Sequence, residues 1–121
     1  MPGSLPLTAV ADPAILINPM PRPEFVILSR EASADGELVP LGSRAEIVDG
    51  LSHCNTGPEA PGEDLLYGPG LEILLPPGED PIRQMILRIS DDDIGYVVML
   101  RMAKEFRWKV RDLEHGREFQ P

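Results

Sequence analysis

The chain has 121 residues, 42% hydrophobic and 26% charged, with a net charge of −9. That length fits one domain with one modest core, and the acidic balance argues against nucleic acid as a partner. A single cysteine, Cys54, excludes an intrachain disulfide and points to a reducing compartment.

Fourteen prolines and eleven glycines point to many loops and little helix. Charge is unevenly spread. Residues 1–80 hold three basic and thirteen acidic side chains, whereas residues 81–121 hold eight and seven. No apolar run reaches the ~18 residues a membrane span needs. Ala9-Val10-Ala11 has the form of a signal-peptidase site, but no Lys or Arg precedes it and the apolar stretch before it is short and broken by proline. The expectation is a soluble, cytoplasmic protein with no membrane partner.

Six prolines fall within residues 1–24, which therefore read as an extended arm with Ile15 and Ile17 as anchors. Residues 25–121 read as one α+β domain. Phe25–Arg30 is β-rich, with apolar residues in both alternate sets, as in a strand covered on both faces. Asp35-Gly36 suits a tight turn, so Glu37–Leu41 reads as the return strand of a hairpin. Pro40 would place that strand at an edge. Arg44–Asn55 is either a short strand or one helical turn, and Thr56–Asp64 is a loop by composition. Leu71–Leu75 is a strand stopped by Pro76-Pro77. Ile82–Ser90 is another, with Met85, Leu87 and Ile89 on one face.

Ile94, Val97, Val98, Met102 and Phe106 then fall at helical spacing. Tyr96, Met99, Leu100 and Ala103 widen the apolar surface, which predicts a mostly buried helix over about 92–107 with Arg101, Lys104 and Glu105 as a narrow polar edge. Gly95 in its first turn weakens the helix or permits close backbone approach. After it, "WKVRDLEHGREF" reads as a strand, a turn at His115-Gly116 and a short return ending at Phe119. The predicted architecture is α+β: a mixed or antiparallel sheet of about five strands, with the one main helix on one face. One helix cannot cover both faces. The arm, a long loop or a second subunit must cover the other.

Four features bear on chemistry. Asp91, Asp92 and Asp93 could hold Mg²⁺ at a strand end, but they directly precede an apolar helix. Ser90 with Asp93 resembles a capping box, and Asp91 or Asp92 could cap directly. His53-Cys54 is no activated pair if it lies on a strand, where neighbours point to opposite faces. Glu79-Asp80 has the chemistry of a turn. Arg101–Arg111 interleaves basic residues with Phe106 and Trp108. Its charges suit a helix C-terminus, and Arg101, Lys104 and Trp108 could share an exposed edge that contacts a protein. No catalytic, metal-ligating or cofactor-binding set is read. The expected function is a noncatalytic protein-interaction or self-association domain, associating across the uncovered sheet face. The alternative is a small enzyme or ligand-binding domain with a loop-built site drawing on Asp91, Asp92 and His53.

Overall fold

The computed structural model describes residues 22–31 and 33–121. Of the arm expected at 1–24, residues 1–21 lie outside the described residues, and so do Ile15 and Ile17. The elements in chain order are β1 (Glu24–Ser29), α1 (Arg44–Ser52), β2 (Gly57–Pro58), β3 (Leu65–Gly68), β4 (Leu71–Leu74), β5 (Gln84–Ile89), α2 (Asp92–Phe106), β6 (Trp108–Asp112) and β7 (Glu118–Phe119). The strands form one sheet in the order β2-β3-β4-β5-β1-β6-β7, and every pairing is antiparallel. The fold is therefore α+β, with seven strands where about five are expected and two helices where one is.

Strand periodicity of two explains the core. Residues paired across neighbouring strands share a face, and the register lines apolar residues into rows. One row runs Leu66, Ile73, Leu87, Phe25, and another runs Met85, Ile27, Val110, Phe119. The expected set Met85, Leu87 and Ile89 does share the buried face. Against this face pack Ile47 and Leu51 of α1 and Met99, Met102 and Ala103 of α2, in one continuous cluster. Tyr96 of α2 meets Phe25 edge-on at 6.1 Å between ring centroids.

The expected hairpin between Phe25–Arg30 and Glu37–Leu41 does not form. Asp35-Gly36 does turn, with Gly36 at φ +82° and Ser33 Oγ donating to Asp35 Oδ1. Beyond the turn, however, the chain crosses to Ile82: Leu41 N–H donates to Ile82 O, and Ile82 N–H to Gly42 O. Both edges of β1 are already taken by β5 and β6, each paired with it over five residues, with Phe25, Val26 and Ile27 set against Leu87, Ile86 and Met85 on one side and Ile27 against Val110 on the other. Pro40 has no N–H with which to compete. Residues 33–39 instead lie beside the buried Leu28 on the second face of the sheet. A loop thus flanks part of that face. The rest carries an apolar row of Leu65, Leu74, Ile86 and Val26 beside cross-strand ion pairs: Arg88 with Glu24 at 2.9 Å and with Glu72 at 3.5 Å, and Glu118 with Arg111 and Lys109.

The ambiguous segment at Arg44–Asn55 is a helix. Ser43 Oγ accepts from Glu46 N–H, and Glu46 Oε1 accepts from Ser43 N–H, a complete capping box. The Ser43-x-x-Glu46 spacing that signals it is present in the sequence. Two strands are not foreseen: Gly57–Pro58, inside the segment read as a loop, pairs with β3, and Leu65–Gly68 is short and pairs with β4 through the Gly68-Pro69-Gly70 bend.

β5 and β6 both run antiparallel to β1 and are therefore parallel to each other with β1 between them. The connection between them is α2, and two glycines set its angle. Gly70, at φ +73°, presents its carbonyl to the N–H groups of Ser90 (2.8 Å) and Asp91 (3.1 Å). A Cβ on Gly95 would lie 2.2 Å from that same oxygen. The close approach anticipated for Gly95 is present.

Two predictions follow from these contacts. Gly95→Ala gains about 1 kcal/mol of helix propensity but forces backbone apart, at a cost of about 3 kcal/mol. A thermal melt should show a loss on the order of 10 °C. A stabilised variant would show that the crossing is not tight. The Glu46 carboxyl is held below its ordinary value of 4.5 by its bond from the Ser43 backbone and then by the Ser43 side chain. A lowered folded pKa contributes stability that is complete above the ordinary value and fades as pH falls through the folded one. Glu46→Gln keeps a cap acceptor without a titrating proton, so its melting temperature should fall less than the native chain's between pH 6 and pH 3.

Candidate functional site

The three aspartates start α2. Asp91 is the N-cap, its Oδ1 accepting from Asp93 N–H at 2.9 Å, so the direct cap forms and the Ser90/Asp93 box does not. Asp92 and Asp93 occupy the first turn, where negative charge meets the positive end of the helix dipole. Among the described residues, no three His, Cys, Asp or Glu side chains come together as metal ligands.

His53 caps the C-terminal end of α1, with Nδ1 2.9 Å from the carbonyl of Asp49. Burial pushes the neighbouring Cys54 thiol above its ordinary pKa, and the charge of Glu105 adds to this while Arg101 opposes it. That environment works against thiolate formation. Glu105 and Arg101 stand about 15–20 Å along α2 from Asp91, at 1.5 Å per residue. His53 therefore belongs to one end of α2 and Asp91 and Asp92 to the other, and the structure does not bring the three together.

The basic end of α2 differs from expectation in one respect. The helix stops at Phe106, and Arg107 adopts the left-handed conformation (φ 60°, ψ 50°), its N–H bonded to Ala103 O. That reversal sends Trp108 into β6, where it is 4% exposed and stacks on Phe106 at 4.9 Å. Trp108 is thus a core residue and does not share the exposed edge with Arg101 and Lys104. Arg30 of the β1 end secures the turn, donating through Nε to Trp108 O (2.9 Å) and through Nη2 to Ala103 O (3.3 Å). Shallow depressions lie on either side of the Phe106–Trp108 stack, bordered by Glu46 of the α1 cap on one side and by Arg30, Glu31 and Arg107 on the other.

The outward side of α2 is less polar than expected. Gly95, Met99, Met102 and Ala103 face the sheet. A helix turns 100° per residue, so Val97 points directly away from them. Val97 is 54% exposed, Ile94 46% and Leu100 41%. Arg101 and Lys104 are exposed beside them. The helix is therefore half-buried rather than mostly buried, because the sheet covers it from one side only. A helix-wide apolar pattern states how much surface is greasy, not how much is covered. Among the described residues, no ion pair engages Asp93, Arg101 or Lys104, and no helix is long and apolar enough to cross a membrane.

Arg107 carries no Cβ-compatible reason to be left-handed, and glycine holds that conformation without penalty. Arg107→Gly should raise stability by about 1 kcal/mol in urea unfolding. A loss of stability would show that the arginine side chain itself supports the turn. Comparison with protein-family profiles, with curated proteins and with solved structures finds no match to this chain.

Proposed function

We propose that this chain is a noncatalytic domain working through protein contact, and that the contact surface is the outward edge of α2. The observation that carries the reading is the exposed row Ile94, Val97 and Leu100 flanked by Arg101 and Lys104. Ile and Val are weaker helix formers than Gln, Lys or Glu. Exposed on a helix, they contribute little to the monomer's stability. Covered by a partner, they gain about 25 cal/mol for each Å² of apolar surface removed from water. Arginine beside such a row suits a contact hot spot.

The second face of the sheet, where association was first expected, supports the reading less well. Its apolar row of Leu65, Leu74, Ile86 and Val26 lies beside the ion pairs of Glu24, Glu72 and Arg88, and residues 33–39 lie beside its neighbour Leu28. A small-ligand reading has one observation in its favour, the Phe106–Trp108 stack between two depressions. Two of its polar groups are already engaged, however: Glu46 in the α1 cap and Arg30 on backbone carbonyls.

The test is the triple variant Ile94→Gln, Val97→Gln, Leu100→Gln at low micromolar concentration. Its melting temperature should stay within about 3 °C of the native chain's, as for surface changes that remove no packing. Binding of a hydrophobic dye should fall. A melting temperature lower by about 10 °C or more would mean that the row is packed within its own chain, and would sink the reading. Unchanged dye binding would place the apolar patch elsewhere.

A further inference from the structure

Four exposed residues along α2 are spaced four, three and four apart: Asp93, Val97, Leu100 and Lys104. That is the spacing of a coiled-coil seam, in which a and d positions alternate along one edge of a helix. With Asp93 and Leu100 at d and Val97 and Lys104 at a, the seam reads acid, apolar, apolar, base. Read backwards it gives base, apolar, apolar, acid, so the seam complements itself when two copies run in opposite directions. In an antiparallel pair each a position faces a d position of the other helix. Val97 then meets Leu100 of the other copy, and Asp93 meets Lys104. The same pairing brings Ile94 beside Arg101, whose aliphatic stem can cover it. A parallel pair would instead set Asp93 against Asp93 and Lys104 against Lys104, and like charges there oppose association.

We infer that this chain forms an antiparallel twofold dimer through α2, with Val97 packed on Leu100 and Asp93 paired with Lys104 across the interface. The inference rests on the protein-contact reading above and names the partner as a second copy. The same charges also suit the helix dipole, Asp93 in the first turn and Lys104 in the last. Asp91, not Asp93, carries the N-cap. A twofold contact uses one patch twice, so each complementary pair occurs twice. Two apolar layers make a small interface, and the dimer should be weak, with a dissociation constant on the order of 100 μM.

Sedimentation of the full chain from about 10 μM to about 1 mM at low salt tests this. The mass should rise from monomer to dimer across that range. Val97→Glu should keep it monomeric. Asp93→Lys alone and Lys104→Asp alone should each weaken the dimer about tenfold or more, because each sets like charges face to face twice. The double swap should restore it to within about threefold of the native chain. Circular dichroism and melting curves confirm that each variant is folded. A native chain that stays monomeric at 1 mM would overturn the inference, while the protein-contact reading would survive if the triple glutamine variant keeps its stability and loses dye binding. A dimer indifferent to Val97→Glu, or a double swap that does not recover, would equally overturn it.

Discussion

The carbonyl of Gly70 is the point on which the arrangement of this molecule depends. It accepts the N–H groups of Ser90 and Asp91 and lies against the backbone of Gly95. Three pieces of chain meet there: the bend between β3 and β4, the end of β5 and the first turn of α2. A side chain on either glycine would separate them, since a Cβ on Gly70 would itself fall 2.5 Å from Gly95 N. The contact sets the angle at which α2 leaves the sheet and the rotation of the helix about its own axis. That rotation places Met99 and Met102 in the core and turns Val97 away from it. The candidate contact surface thus follows from a backbone crossing on the opposite side of the helix.

Electrostatics then secures both ends of α2. Asp91 caps the start, with Asp92 and Asp93 adding negative charge near the helix's positive end. At the other end, Arg30 donates to two carbonyls around the Arg107 turn, and Lys104 stands in the last turn. The result is a helix acidic at its start and basic at its exit, with aliphatic residues between. The distribution that favours the helix in isolation also makes its exposed edge self-complementary. Cap geometry and the proposed contact draw on one charge gradient.

The sheet handles its own exposed surface differently. Its edge strands, β2 and β7, are only two residues long, which leaves little unpaired backbone for another strand to extend. Its second face carries ion pairs on facing residues of neighbouring strands, and residues 33–39 lie beside part of it. Short edges and ion pairs thus limit the free backbone and bare apolar surface of the sheet, although the row of Leu65, Leu74, Ile86 and Val26 remains between them.

Much of this was readable from local pattern. The alternation of Met85, Leu87 and Ile89 foretells a buried strand face, and the spacing from Ile94 to Phe106 foretells the helix. The acidic run announces its start, and His115-Gly116 marks the turn between β6 and β7. The Ser43-x-x-Glu46 box carried a helix signal that short, weakly patterned Arg44–Ser52 obscured. Other features had no local signal. Nothing in Phe25–Leu41 says that β1 will prefer β5 and β6 to its own neighbour, because that choice depends on matching rows far away in the chain. Arg107 has neither the glycine nor the asparagine that marks a helix stop, so the sequence leaves open whether Trp108 extends the helix edge or begins the strand that it does begin. Sequence by itself determined which residues share a face, where charge accumulates and where helices can begin. Tertiary structure alone decided what lies against each face, and so that Trp108 is covered while Ile94, Val97 and Leu100 are not: periodicity is a property of one segment, but burial belongs to two.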